Sequence, residues 1–209
     1  MPSVSHERIY QHIYSDKRAG GTLHKNLRCQ KQRKKMYGQR ERRGAIVGQV
    51  SIEQRQDVVD RLGRFGAWEA DLVIGAGQQQ ALVTLNERKS RYSLMGKVDR
   101  KTARAVSDTM ITLLTPFADC VHTVTSDNCK EFAQHVRIAD ELEAQFFFAH
   151  PYCSWERGAN ENMNGLIRQF FPKKMAFDSI TASDIALATY SLNHHQGSVS
   201  DSKHHIRSL

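Results

Sequence analysis

The sequence predicts a mixed α/β domain of about 130 residues that follows a short basic arm. One observation is the pattern after Trp68, where short strand-like apolar runs alternate with segments of helical spacing. A second is the composition, since 40% of the residues are apolar and 25% are charged, which is typical of a globular protein. A chain of 209 residues is long enough for one such domain with a buried core and a short appendage.

Three strands in succession open the domain. The apolar runs 68–74, 81–85 and 92–98 are separated by Gly-containing or polar links of only a few residues. Short links between consecutive strands favour an antiparallel meander.

Helices and strands then alternate. The pattern predicts a helix over 102–114, a strand over 121–125, a helix over 131–144, a strand over 145–149, and helices over 159–170 and 182–192. Pro116 and Pro172 stop the first and third of these helices. The expected architecture is therefore a five-stranded mixed sheet with flanking helices.

The first third of the chain carries all the excess positive charge. Residues 1–64 contain 15 Lys and Arg against 6 Asp and Glu, whereas residues 65–209 contain 15 against 16. Helical spacing predicts a helix over 5–14, capped by Ser5, and a weaker one over 51–62. Between them runs a basic stretch containing Lys25, Arg28, Lys31, Arg33, Lys34, Lys35, Arg40, Arg42 and Arg43. It is either a solvated linker or an arm that binds nucleic-acid phosphates, and the two are compatible.

Other classes of protein are disfavoured. No apolar run approaches the roughly 18 residues of a membrane span, and the first residues show no apolar signal segment. The four cysteines are scattered, without zinc-type spacing, so we expect free thiols in the reducing cytoplasm.

Three carboxylates lie at positions where such a domain could hold catalytic or metal-binding residues. Asp71 interrupts an apolar strand, so it either faces solvent on an edge strand or is paired or metal-bound. Asp127 follows the fourth strand directly, a position that also suits an Asx turn or a helix cap. Glu161 lies in the first turns of a helix, where the helix dipole alone favours a carboxylate. Each is weak evidence alone, but together they indicate one acidic site.

Three segments carry a family resemblance. They are WEADLVIG (68–75), TSDNCKEF (125–132) and AHPYCSWERGANENMNGLIRQFFPK (149–173), with 33 residues between the second and third acids. Over about residues 5–192 the chain resembles the transposases of the bacterial insertion sequence thirty (IS thirty) family. SHERIYQHIY (5–14) resembles the end of that family's DNA-binding region.

The resemblance implies an RNase H-like, retroviral-integrase-like core that cuts and joins DNA at the ends of a mobile element. Asp71, Asp127 and Glu161 would form its acidic triad and hold two Mg²⁺ or Mn²⁺ ions about 4 Å apart. By resemblance Asp71 would bridge both ions. The partners would be double-stranded DNA and further copies of the chain. DNA contacts near the triad would come from Asn128, Lys130, Arg157, Asn164 and Arg168.

The sequence also departs from the family pattern. Cys129 stands where the family usually has glycine. Because glycine often marks a positive φ or a close approach to another chain or ligand, we hypothesise that Cys129 strains the turn that sets Asp127. Both ends of the chain look truncated, and the residues after 192 resemble a shifted reading frame. The expected organisation is a DNA-binding remnant with its basic linker over 1–64, the catalytic core over 65–192, and an unstructured tail over 193–209.

Two function classes therefore compete. One is a metal-dependent transposase that acts in the bacterial cytoplasm, at the nucleoid. The other is a catalytically dead remnant that binds DNA or transposase subunits. A nuclease of the RNase H type would share the acids without needing the three motifs, and a DNA-binding module would explain the arm but not the acids.

Overall fold

The computed structural model of the chain describes residues 5–26, 46–151 and 153–195. It divides into two compact units, Met1–Ala45 and Ile46–Leu209. In the first unit, α1 (His6–Arg18) begins after Ser5, whose side chain accepts a hydrogen bond from the Arg8 backbone. The predicted cap is thus confirmed, and the helix runs further than residue 14. A 3₁₀ turn over Leu23–Asn26 follows it.

A five-stranded mixed sheet forms the centre of the second unit. Its strands are β1 (Ala67–Ile74), β2 (Ala81–Glu87), β3 (Ser93–Val98), β4 (Thr123–Ser126) and β5 (Gln145–Phe148), in the order β3-β2-β1-β4-β5. The first three form the predicted antiparallel meander, and β4 and β5 are parallel to β1. All five predicted strands are confirmed. Because β1 is the central strand, the interpretation of Asp71 as an edge-strand residue is wrong.

Five helices accompany the sheet. They are α2 (Asp57–Asp60), α3 (Ala103–Leu114), α4 (His135–Glu141), α5 (Gly158–Phe170) and α6 (Ala182–His195). Two predicted helices are shorter than expected. Arg55 has an extended backbone that separates a 3₁₀ turn from α2, because its guanidinium reaches into the core to Thr125. Gln134 likewise separates a 3₁₀ turn, Lys130–Phe132, from α4.

The two faces of the sheet pack against different helices. One face carries Trp68 and Ala70 and forms an apolar cluster with α3 and α4 that includes Val106, Met110 and Ile138. The other face carries Val73 and Leu82 and packs against α5 and α6 through residues that include Met163, Ile167 and Ile185. We call these the α3–α4 face and the α5–α6 face. Alternate residues of β1 point to opposite faces, so Glu69 and Asp71 share the α5–α6 face.

The ends of the core differ from the predicted boundaries. Residues 46–64, assigned from sequence to the linker, pack on the sheet: Val50 accepts a hydrogen bond from the Phe148 backbone, and Val59 is buried. At the other end α6 continues to His195, and Asn193 is buried against β3 rather than beginning a tail. Among the described residues, no helix combines the length and hydrophobicity that would let it cross a membrane.

Candidate active site

The register of the sheet brings two of the predicted acids together. β1 and β4 run in parallel, with Glu69 opposite Thr125. Asp71 comes two residues after Glu69 within β1, and Asp127 comes two residues after Thr125, just beyond the end of β4, so this register brings the two acids near each other. The sequence placed each acid at its element, but only strand pairing makes them neighbours.

Asp71 is held in one orientation by a residue of α5. Its Oδ2 accepts a hydrogen bond of 2.8 Å from Asn164 Nδ2, and its Oδ1 accepts one of 2.8 Å from the Leu72 backbone. The side chain is 20% exposed. Burial raises the pKa of Asp71, and the neighbouring Asp127 raises it further, while Arg157 opposes both effects. A cation at this position would therefore be favoured by both carboxylates.

Asp127 sits in a turn that Cys129 helps to form. The Cys129 backbone donates to Asp127 Oδ1 at 3.1 Å, which is the Asx-type bond considered from sequence, and the thiol donates to Oδ2 at 3.0 Å. Burial and the adjacent Asp127 raise the pKa of the Cys129 thiol to about 12. Cys129 has φ −73°, an ordinary extended conformation. The hypothesis that its side chain strains the turn is therefore wrong, because no positive φ is needed there.

Arg157 neutralises the two acids. Its guanidinium lies 3.6 Å from Asp71 Oδ2 and 3.7 Å from Asp127 Oδ2, and it donates a hydrogen bond to the Ala70 carbonyl. The side chain is only 11% exposed. One partly desolvated cation thus interacts with both carboxylates. The two negative charges together favour positive charge at this point of the site.

The third predicted acid, Glu161, lies in the first turn of α5, between Asn160 and Asn164. Its side chain falls outside the described part of the structure. In that described part, no three His, Cys, Asp or Glu side chains are grouped to hold a metal ion. The donors present still fit a hard divalent ion: Asp71 and Asp127 offer carboxylate oxygens, and the buried Asn164 Oδ1 beside them has no hydrogen-bond partner.

The residues predicted to contact DNA fall into four groups. Asn164 and Arg157 belong to the acidic site, as described. Asn128 and Arg168 hold backbone instead: Asn128 donates to the Ala149 carbonyl at 2.6 Å, and Arg168 donates to the Ile74 carbonyl at 2.9 Å. Lys130 is exposed next to Asp127, and Lys25 is exposed in the first unit. The remaining basic residues lie outside the described residues, namely Arg28, Lys31, Arg33, Lys34, Lys35, Arg40, Arg42 and Arg43.

Sequence reasoning missed a buried row of polar residues next to the acids. Thr125, Glu69, Asn86 and Ser93 are consecutive partners across β4, β1, β2 and β3, and each is at most 1% exposed. We call these four residues the polar row. The alternation of polar and apolar residues in β1, Trp-Glu-Ala-Asp, was the signal that could have revealed it.

Each member of the polar row has a partner on a flanking segment. Thr125 accepts from Arg55 at 3.0 Å, and Glu69 pairs with Arg88 at 2.6 Å. Asn86 donates to Asn160 of α5, and Ser93 exchanges two hydrogen bonds with Asn193 of α6. Burial raises the pKa of Glu69, and the Arg88 charge opposes that effect.

The relatives of the chain are transposases. It is 44% identical over 191 residues to the transposase for insertion sequence element IS4351 of Bacteroides fragilis, and 37% identical over 198 residues to that for IS1086 of Cupriavidus metallidurans. It is 32% identical over 203 residues to the transposase InsI for IS30A of Escherichia coli. These alignments cover 91% of this chain, which spans 59%, 58% and 51% of the three relatives. No protein-family model matches the sequence.

A solved structure shows the same fold. A chain of the simian T-cell lymphotropic virus intasome, in complex with the PP2A regulatory subunit B56 gamma, superposes with a TM-score of 0.51 and 15% identity. The match covers 63% of this chain and 49% of that one. The five-stranded mixed sheet thus has an RNase H-like fold. Over 91% of its length the chain is homologous to IS30-family transposases.

Proposed function

We propose that this chain is the catalytic part of a DNA transposase, which cleaves and joins strands at the ends of an insertion sequence with the help of divalent ions. The observation that carries the proposal is that one guanidinium, Arg157, lies within 3.7 Å of both Asp71 in β1 and Asp127 just after the parallel strand β4. The substrates would be double-stranded element ends and target DNA in the bacterial nucleoid. Further copies of the chain would be partners.

The residues of the site suit this chemistry. Asp71, Asp127 and Glu161 would hold two Mg²⁺ or Mn²⁺ ions, which when bound activate the attacking oxygen and stabilise the charge that develops on the phosphate. Asn164 keeps the Asp71 carboxylate in one orientation, and the charge of Arg157 favours the ionised form of Asp71. Arg157 is also placed to contact the phosphate that reacts, because a guanidinium binds phosphate as readily as carboxylate.

The alternative of a catalytically dead remnant is not favoured. Asp71 and Asp127 both interact with Arg157, and the turn of Cys129 around Asp127 has an ordinary backbone conformation, which supports an intact site. The motif residues Arg157 and Asn164 still contact the acids.

The test is divalent-metal-dependent nicking of a labelled duplex that carries an element end. We expect the purified chain to nick it with Mn²⁺, and Asp127→Asn to abolish nicking while keeping the Asx-type bond and therefore the turn. Asp119→Asn is the matched control, since Asp119 is exposed and precedes β4, at the opposite end of that strand. Equal loss in both variants, or nicking that survives Asp127→Asn, would contradict the proposal.

The basic stretch gives a second, independent test of DNA binding. Lys34→Ala/Lys35→Ala should weaken binding to any duplex, because contacts to phosphates carry no sequence information. If both lysines contact phosphates, the slope of log K against log salt should become shallower by about 2. An unchanged slope would show that these lysines remain solvated in the complex.

A further inference from the structure

Among the described residues, the N-terminus of α5 has no side-chain cap from its own N-cap residue. Arg157 occupies the N-cap position, and its side chain makes no capping hydrogen bond. The first backbone N–H groups of a helix have no partner inside the helix, and a buried one left unpaired is costly. Asn160, the third residue of α5, is 1% exposed and donates its backbone N–H to Glu69 Oε2 at 3.2 Å. The central strand therefore supplies the cap from 91 residues away.

Glu69 is itself rigidly held. Its other oxygen, Oε1, pairs with Arg88 at 2.6 Å, and its side chain is 1% exposed. Arg88 lies 3.6 Å from Asp60, which in turn binds Arg55. An unpaired carboxylate would be strongly disfavoured at this depth, so the two arginines account for its presence there.

The contact between Glu69 and Asn160 is matched by the one between Asp71 and Asn164. Glu69 and Asp71 are two residues apart on one face of β1, and Asn160 and Asn164 are one turn apart on one face of α5. Two strand residues span about 6.6 Å and four helical residues about 6 Å, so the two spacings agree. Glu161 lies on the helical turn between these two contacts.

We propose that Glu69 is a positioning residue, which fixes the first turn of α5 on β1 and so sets where Glu161 stands relative to Asp71. The effect of Glu69 on the reaction rests on the proposed function, whereas its role in fixing α5 on β1 does not. Glu69 itself contacts neither the reacting atoms nor Asp71 in this arrangement.

The variant Glu69→Gln separates this role from mere packing. Asn160 and Arg88 donate to different oxygens of Glu69, and glutamine replaces one of those oxygens with an NH₂ group. Because the charged Arg88 is the stronger donor, the amide oxygen should face Arg88 and the NH₂ group the Asn160 N–H, so the cap is lost. Glu87→Gln is the matched control, because Glu87 is equally buried and also accepts backbone hydrogen bonds, from Gly66 and Ser90. Glu87 pairs with Trp68 across the strands and so faces away from α5.

The first measurement is amide hydrogen exchange, resolved to residues 158–164, on both variants of the full chain. We expect Glu69→Gln to speed exchange in this turn about tenfold or more relative to the wild type, and Glu87→Gln to leave it unchanged. The second is titration with Mn²⁺ alone, in which Glu69→Gln should weaken binding by about 10- to 100-fold, as for other residues that orient metal ligands. The third is nicking, where kcat should fall while KM for DNA is retained.

The outcomes are distinct. Unchanged exchange in Glu69→Gln, or the same acceleration in both variants, would overturn the positioning role. Unchanged Mn²⁺ affinity alongside faster exchange would overturn its link to the acidic site. A wild-type chain that neither binds Mn²⁺ nor nicks DNA would overturn the proposed function, yet faster exchange confined to Glu69→Gln would still support the capping of α5.

Discussion

The two faces of the five-stranded sheet differ in the kinds of side chain that they bury. The α3–α4 face buries a continuous apolar cluster, with Val106, Met110 and Leu114 fully inaccessible. The α5–α6 face combines an apolar cluster with the polar row and the two aspartates. The first face therefore holds the fold together mainly by apolar burial, and its buried carboxylate, Glu87, accepts hydrogen bonds from the nearby residues 66–67 and 89–90. On the second face, buried polar groups fix the positions of α5 and the acids.

The largest expected difference between the faces concerns Asp71. Asp71→Asn should lower nicking by about 10³-fold or more, the scale for losing a principal catalytic group. The melting temperature at neutral pH should stay the same or rise, because burial raises the pKa of Asp71 and so disfavours the ionised form in the folded state. Parallel thermal unfolding and nicking assays check this. A loss of activity that only follows a loss of folded protein would contradict it.

A cavity in the α3–α4 face should have the opposite signature. Met110→Ala should reduce the free energy of unfolding by about 2–5 kcal/mol, because its side chain is 0% exposed in the apolar cluster. At low temperature, the nicking rate per folded molecule of this variant should equal that of the wild type. Denaturant unfolding measures the effect, with Leu187→Ala as the control, since Leu187 is 66% exposed and should shift stability by less than about 0.5 kcal/mol. Equal effects of the two variants on stability would show that burial of Met110 in the apolar cluster does not stabilise the fold more than an exposed side chain does.

Cys129 tests whether the turn at Asp127 needs a glycine. Cys129→Gly should give no gain in nicking or strand transfer, since φ is −73° at this residue. It should cost about 1 kcal/mol of stability, because glycine adds backbone freedom to the unfolded chain and the thiol contact with Asp127 is lost. Urea unfolding and a strand-transfer assay measure the two effects. A clear gain in strand transfer would restore the strained-turn hypothesis.

The smallest effect concerns the loop that leads from β5 to α5. His150 lies 2.8 Å from Glu156 and 3.3 Å from Glu53, and the hydrogen bond and charge of Glu156 raise its pKa. Its contribution to stability should therefore be complete below the unfolded pKa of about 6.5 and be lost as pH rises through the higher folded pKa. The difference in melting temperature between the wild type and His150→Gln should shrink over that range. A difference that grows with pH would show that His150 is held in its neutral form.

Much of the fold could be predicted because its signals are local. Short apolar runs located all five strands, and Ser5 caps α1 as the helix-start signal predicted. The shortened helices show where local signals fail. Arg55 breaks the helix predicted over 51–62 because its guanidinium is buried against Thr125, a contact 70 residues away that no local pattern reveals.

The acidic site was predicted only in part. Asp71 and Asp127 are noticeable in the sequence because Asp71 interrupts an apolar strand and Asp127 directly follows one. The resemblance of the motifs adds Glu161 to this pair. Glu69 lies two residues before Asp71 and is just as unusual, a carboxylate within an apolar strand, yet its partners Arg88 and Asn160 are known only from the packing of α5 on the sheet.

The order of strands and helices along the chain, its resemblance to a transposase family and two of its acids are predictable from local sequence, because apolar periodicity and short motifs involve neighbouring residues. The position of Asp71 on the central strand near Asp127, the contacts of Arg157 with both, and the capping of α5 by Glu69 depend on the folded structure. The physical reason is that strand register and helix packing join residues far apart in the chain, and a buried charge is stable only where such partners meet it.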